Sequence, residues 1–297
     1  MGCKPACVAL LGLAIASARC RFSRGEVALL SILPSPLDLS ATRVEWLASI
    51  DSTNDEAMRR ARAGDPGGLW IAGWEQTKGR GRQGRVWYSS HGNLAASLLL
   101  IDPAPTNLAP QLGFVAGVAL AEAARDLLPV GKPAQLKWPN DLVVGGAKLS
   151  GLLLEASQLP NGHLACVIGI GLNIEASPDG LPYAATSLRA LGGDASAELA
   201  LERIAAHMSV WLSLWQRGDD FASVRKAWTA HAAALGQRVS VFAGRVQTTG
   251  IFLGIDATGQ MILETDVGRE TIAAGDLLLT ADSVPMPAED QVIDGNG

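Results

Sequence analysis

Lys78-Gly79-Arg80-Gly81-Arg82-Gln83-Gly84-Arg85 sets four cations into eight residues and alternates them with glycine. Glycine lets the backbone approach a ligand closely and offer its N–H groups as an anion nest. Arginine adds a planar fork of donors matched to phosphate and carboxylate. The segment therefore suits a loop that closes over a phosphate and a carboxylate together. On these residues alone two other readings stay open, an Arg-Gly contact to nucleic acid and a solvated loop. A P-loop is excluded, because no Gly-Lys-Ser/Thr follows the glycines at the required spacing.

Two further segments carry chemistry. Leu136-Lys137-Trp138-Pro139-Asn140-Asp141 is followed by Ala147-Lys148-Leu149-Ser150-Gly151, and three of the chain's six lysines (78, 137 and 148) fall in these stretches. Pro139 fixes a turn past a strand end, where Asn140 and Asp141 can face a cleft. An aspartate there can meet Mg²⁺ or take a proton from an attacking amine. Lys148 enters a new strand within reach of a carboxylate and a phosphate; the bland alternative is a surface lysine, as a plain turn is for Asn140-Asp141. In Gly169-Ile170-Gly171-Leu172-Asn173, glycine at alternate strand positions clears one face for a flat ligand. No helix with a third glycine follows, so this is no dinucleotide fingerprint.

The elements that must position these residues follow from hydrophobic period and punctuation. Arg43–Ile50 reads as a strand, and Thr53 with Glu56 as a capping box opening a helix to Ala63. Leu69–Glu75 and Asn93–Ile101 read as strands around the Arg-Gly loop, and Leu108–Leu128 as an Ala-rich helix. Short strands with turns at Gly145-Gly146 and Asn161-Gly162 run to Ile174. Leu201, Ile204, Met208, Trp211 and Trp215 recur at helical spacing and read as core, and Phe221–Ala234 reads as a further helix. From Leu235 short β segments punctuated by Gly254, Gly259 and Gly268 predict a small all-β barrel.

Composition bounds the rest. With 297 residues, 48% of them hydrophobic, the chain has enough apolar surface for two cores. A net charge of −5 argues against a general nucleic-acid binder, so any positive site is local. Three of four cysteines sit in the first 20 residues and Cys166 stands alone, which suits a reduced, cytoplasmic protein. Val8–Ala18 is signal-like but too short to span a membrane. The expected organisation is a leader-like segment over residues 1–41 that stands outside the fold, a catalytic domain over 42–234, a small β domain over 235–281 and an acidic disordered tail over 282–297.

Taken together, Ser52-Thr53-Asn54, Glu75-Gln76, the Arg-Gly loop with Trp87, Lys137–Asp141, Lys148–Gly151 and Gly169–Asn173 resemble the biotin protein ligase family. Leu235-Gly236-Gln237-Arg238-Val239 and Gly250–Ile255 resemble that family's C-terminal SH3-like domain. The resemblance implies an α+β fold, a mixed-sheet catalytic domain followed by a small SH3-like β-barrel. It implies formation of biotinoyl-5′-AMP from biotin and ATP with Mg²⁺, then transfer to a lysine of a biotin carboxyl carrier protein. Lys148, Arg82 and Asp141 are the implied catalytic residues. Biotin falls to Ser52, Thr53, Asn54, Gln76, Arg80, Gly81, Arg82 and Lys148. ATP falls to Arg82, Arg85, Trp87, Asn140 and Asn173, and no dedicated metal-ligand set is expected. The type implied is the single-function one without a DNA-binding domain, acting on neither nucleic acid nor membrane, with a homodimer left open. The alternative is a lipoate–protein ligase or related acyl-adenylate transferase, which shares the fold and the activation logic.

Every residue given a role lies at Ser52 or later. A chain starting near residue 38 is therefore expected to keep full transfer activity and thermal stability. An unstable or inactive truncation would assign the leader to the fold.

Overall fold

The computed structural model describes residues 43–278. The leader-like segment and the acidic tail expected from the sequence lie outside the described residues. Among the described residues no helix is long and apolar enough to cross a membrane.

Seven strands form one mixed sheet in the order β1-β2-β3-β7-β6-β5-β4. They are β1 (Arg43–Leu47), β2 (Leu69–Gly73), β3 (Leu94–Ile101), β4 (Ala134–Lys137), β5 (Asp141–Val144), β6 (Ala147–Gln158) and β7 (Leu164–Leu172). Only β1 and β2 run parallel, joined through α1 (Thr53–Arg62); every other neighbouring pair is antiparallel. The remaining helices are α2 (Leu112–Leu127), α3 (Ala197–Trp215) and α4 (Phe221–Ala230).

The two faces of this sheet differ. Alternation along a strand sends Leu94, Ala96, Leu98 and Leu100 of β3, with Cys166, Ile168 and Ile170 of β7, into the main core beneath α2 and α3. Cys166 is fully buried there, and burial pushes its thiol up to about 11. The opposite face carries Leu69, Ile71, Leu99, Ala165 and Val167, which pack on Ala57 and Ala61 of α1. That second core covers only part of its face.

The remainder is a row of small residues crossing the sheet. Register links Gly73 to Ala95, Ala95 to Gly171, Gly171 to Gly151, Gly151 to Asp141 and Asp141 to Lys137. Four consecutive positions with at most a methyl group leave a shallow trough, closed at one end by an acid and a base. A bulge in β6 sets what faces it. Leu142 pairs with Ser150 and Val143 with Lys148, so Leu149 is the extra residue. Leu149 turns into the main core, and Lys148 comes round beside Gly151 on the trough face.

The start of α1 corrects the sequence reading. Ser52, not Thr53, is the N-cap, and its hydroxyl accepts the Asp55 N–H at 3.4 Å. Thr53 is already helical, which frees its hydroxyl for the site. Strand β1 also stops at Leu47, short of Ile50, and the helix expected over Leu108–Leu128 begins with a 3₁₀ turn at Thr106–Gln111.

The C-terminal part is a five-stranded antiparallel sheet, β11-β10-β9-β8-β12. It is built from β8 (Arg238–Ala243), β9 (Val246–Ile255), β10 (Met261–Thr265), β11 (Gly268–Ile272) and β12 (Asp276–Leu278). Aromatic contacts weld it to the larger part. Trp228 of α4 meets Phe114 of α2 and Phe252 of β9 edge-to-face, with centroids 5.7 and 6.5 Å away. The Trp138 indole donates to Gly259 O at 3.2 Å.

Trp228 is 1% exposed and bridges the two parts. Trp228→Ala is expected to cost ~3–5 kcal/mol of unfolding free energy, measured by urea titration. A loss below about 0.5 kcal/mol, the level of an ordinary surface change, would show that the bridge contributes little.

Candidate active site

The trough is roofed by the segment between β2 and β3. This segment is ordered by its own backbone. Thr77 and Lys78 N–H groups donate to Ile50 and Asp51 carbonyls at 2.8 Å. Further out, Gly81 N–H donates to Arg85 O at 2.7 Å and Trp87 N–H to Gly79 O at 3.0 Å. The Arg-Gly loop is thus a tight hairpin whose tip is a 3₁₀ turn, Arg82–Gly84, with Gln83 at a positive φ of 57°. It lays the Trp87 indole over Gly171 so closely that a Cβ at that position would overlap the ring.

Lys148, Arg80 and Arg85 each meet a carboxylate, and Arg82 meets neutral acceptors. Lys148 Nζ lies 2.7 Å from Asp141 Oδ1, with the Trp87 and Tyr183 rings 5.8 and 5.5 Å away. Asp141 Oδ1 is buried and forms no hydrogen bond of good geometry, so Lys148 holds it by charge alone. Arg80 donates to Asp55 at 2.5 and 2.7 Å and to Glu155 at 3.0 Å. The hydrogen bond to Asp55 and the charge of Glu155 raise the Arg80 guanidinium further above its usual range. Arg82 donates to Asn140 Oδ1 at 3.1 Å and to Gly275 O at 3.4 Å. Arg85 pairs with Asp276 at the start of β12, which raises its pKa as well. The loop tip is therefore latched to the small C-terminal domain.

Two clefts flank the trough. Val86, Trp87, Tyr88, Lys148, Asn173, Pro178, Leu181, Tyr183 and Ala185 line the first. Asn173 donates to Thr186 O at 3.0 Å, while its buried Oδ1 has no partner among the described residues. A buried acceptor of this kind points to a ligand donor. The second is an open groove of Asp55, Met58, Arg59, Arg62, Arg80 and Glu155 along α1. Arg80 thus faces a different cleft from Lys148.

Between them, Thr53, Asn54 and Gln76 form a polar corner. Gln76 Oε1 accepts from Thr53 N–H at 2.8 Å and lies 3.1 Å from Thr53 Oγ1. Asn54 is buried and stands where a side chain on Gly169 would be. The alternate glycines of β7 therefore make room for Asn54 and Trp87. Ser52 is spent as a helix cap. Gly81 belongs to the loop hairpin, and Asn140 also donates to Leu152 O at 2.7 Å. Ser97, Glu155, Asp276 and Tyr183 also border the site but stand in none of the motifs above. Only the serine, a polar residue inside the apolar run Leu94–Ile101, gave a signal.

Two family models match this chain. The Biotin/lipoate A/B protein ligase family covers residues 46–173, and the Biotin protein ligase C terminal domain covers residues 234–279. A biotin--[acetyl-CoA-carboxylase] ligase of Paracoccus denitrificans is 38% identical over 238 residues, 78% of this chain and 98% of that protein. One of Mycobacterium tuberculosis is 31% identical, over 80% of this chain and 88% of its own length. The biotin protein ligase from Aquifex aeolicus, solved with biotin and ATP, superposes with a TM-score of 0.68 at 30% identity over 80% of this chain and 97% of its own.

The latch carries a prediction. Asp276→Ala is expected to raise the rate of tryptic cleavage at Arg82 and Arg85 several-fold, because it frees a local segment. Global stability should move by less than about 1 kcal/mol, as for other partly exposed ion pairs. Unchanged cleavage would show that the backbone hairpin alone holds the loop. With both domains matched in order, and a relative matched along nearly its whole length, the chain belongs to the biotin protein ligase family.

Proposed function

We propose that this protein joins biotin to a lysine of a biotin carboxyl carrier protein at the expense of ATP. The carrying observation is one trough with a polar corner at Thr53 and Gln76 and a cation, Lys148, beside Asn173. The first suits a urea ring, the second a carboxylate meeting a phosphate. Residues 42–234 serve as the catalytic unit and residues 235–281 as the latch domain.

In the first step a biotin carboxylate oxygen attacks the α-phosphorus of ATP. The bond to the β-phosphate breaks, and pyrophosphate leaves. Two anions must meet, so the barrier is electrostatic. Lys148 lies against Asp141 and takes the incoming oxyanions as alternative partners. Arg82, on the hairpin tip, adds a second cation, and Arg85 and Asn140 line the same side. Bound with the phosphates of ATP, Mg²⁺ would offset their negative charge. Among the described residues no three His, Cys, Asp or Glu side chains cluster to hold an ion unaided. Asp141, a carboxylate already facing a cation in the Lys148 ammonium, would suit a cation carried in by phosphates, which commonly needs only one or two protein carboxylates.

In the second step the carrier lysine's amine attacks the carbonyl carbon of biotinoyl-5′-AMP, AMP leaves, and an amide forms. Asp141 accepts or orients the proton the amine sheds. The intermediate is hydrolysed by water, so the hairpin with Trp87 covers it until the carrier arrives. Thr53, Asn54 and Gln76 form the biotin end, with Ser52 capping the helix that carries them and Arg80 and Gly81 in the hairpin above, and Trp87 and Asn173 form the nucleotide end. The family model covering residues 46–173 embraces lipoate ligases too; the match of residues 234–279 to a biotin ligase C-terminal domain favours biotin. Supplies of ATP and carrier place the reaction in the cytoplasm.

The test is ATP–pyrophosphate exchange that depends on biotin and Mg²⁺. Lys148→Ala is expected to lower its rate ~10²–10³-fold while the fold is kept. No exchange above a heat-killed sample would overturn the ligase reading. A folded variant at near-normal rate would return Lys148 to a surface role.

A further inference from the structure

Glu155 and Ser97 carry no role in the reaction as derived above, yet they join the two ends of a buried hydrogen-bond chain. Glu155 Oε2 accepts from Asn54 Nδ2 at 2.7 Å. Ser97 Oγ lies 2.6 Å from Asn54 Oδ1 and 2.7 Å from Thr53 Oγ1. Thr53 Oγ1 in turn lies 3.1 Å from Gln76 Oε1. Asn54 and Thr53 are each 4% exposed and Ser97 is fully buried, so water does not complete these bonds.

The proton count along this chain allows one direction. Glu155 faces the Arg80 guanidinium at 3.0 Å and, as a carboxylate, only accepts. It therefore holds the amide nitrogen of Asn54 on its side and turns Oδ1 to Ser97. An amide oxygen only accepts, so the single Ser97 proton goes to Asn54. The Thr53 proton then goes to Ser97 Oγ at 2.7 Å, which has no other donor, in preference to Gln76 Oε1 at 3.1 Å, which the Thr53 N–H already occupies. With its proton committed to Ser97, Thr53 Oγ1 can only accept from a ligand. Gln76 Oε1 is fixed in turn by the Thr53 N–H at 2.8 Å, which leaves Gln76 Nε2 to donate. An acceptor at Thr53 thus stands beside a donor at Gln76. A cyclic urea presents the complement, an N–H donor next to a carbonyl acceptor. A cyclic guanidinium presents donors only.

We infer that Glu155 and Ser97 are positioning residues that set the donor and acceptor polarity of the ring-recognition corner and so select a urea over its guanidinium analogue. The inference rests on the ligase reading above. It concerns discrimination, which a merely structural role would leave alone.

The experiment compares Kd for biotin with Kd for 2-iminobiotin, a guanidinium at neutral pH, by calorimetry on the full chain. The wild type is expected to prefer biotin. In Glu155→Gln the new amide can offer either oxygen or nitrogen to Asn54, and the direction is no longer enforced. The preference should fall about tenfold, one mismatched polar contact. Ser97→Ala should do the same. Asp55→Asn also removes a partner of Arg80 but touches none of the chain, so it should leave the ratio within twofold of the wild type. If Ser97→Ala fails to fold, the part-exposed, isosteric Glu155→Gln decides alone. A wild-type ratio in folded Glu155→Gln overturns the inference, and so does an equal fall in Asp55→Asn. Absence of biotin binding and of biotin-dependent exchange in the wild type would instead overturn the ligase reading, and this inference with it.

Discussion

The trough depends on four residues in register that have almost no side chain, Gly73, Ala95, Gly171 and Gly151. A sheet face normally closes by packing larger residues against a helix, and α1 does this over the Ile71, Leu99 and Val167 part. Where the small row begins, nothing apolar remains for a helix to cover. The chain instead crosses by a hydrogen-bonded hairpin that lays one large ring, Trp87, over Gly171. A substitution with a side chain at Gly171 would push that ring off the sheet. The site is therefore a deliberate gap in the core, bounded by the capped start of α1 and by the Lys148–Asp141 pair.

The electrostatics follow from placing cations in an acidic chain. Lys148, Arg80 and Arg85 each have a carboxylate partner, and Arg82 lies 4.0 Å from Asp276. Partly exposed pairs of this kind add little to stability, so exchanging one partner for another is inexpensive. That is what a site receiving two anions needs. The cations stay oriented and are free to change partner, and Lys148 is partly desolvated beside Trp87 and Tyr183. The buried chain from Glu155 to Gln76 works by the opposite rule. Its middle members Thr53, Asn54 and Ser97 are buried, and a wrong orientation among them would strand a polar atom.

The small C-terminal sheet takes part in both arrangements. Its apolar contact through Trp228 and Phe252 fixes it against α2 and α4. That placement brings Gly275 and Asp276 to the hairpin tip, some 190 residues away in sequence from Arg82 and Arg85. Trp138 serves the same junction, because its ring is 2% exposed and its N–H reaches Gly259. The segment that carries Asn140 and Asp141 is thus anchored from the C-terminal side.

The sequence by itself determined the local elements and the inventory of the site. Strand alternation, the helical stripe from Leu201 to Trp215 and the Gly145-Gly146 turn are short-range signals, and they reappear as β3, α3 and the β5–β6 hairpin. The Arg-Gly loop, Lys148 and Asp141 were legible because clustered cations and turn residues stand out in an acidic chain, whereas the role of Asn173 came only with the family resemblance. Tertiary structure alone decided their partners. The cap moved to Ser52, and Thr53 is held instead by Gln76 of the segment after β2 and by Ser97 of β3. Lys148 faces the trough only because of a bulge set by pairing with β5. Arg80 met Asp55 and Glu155, and Arg85 met Asp276, through contacts spanning 25 to 191 residues. Such pairings depend on strand register and domain placement, which local periodicity does not encode.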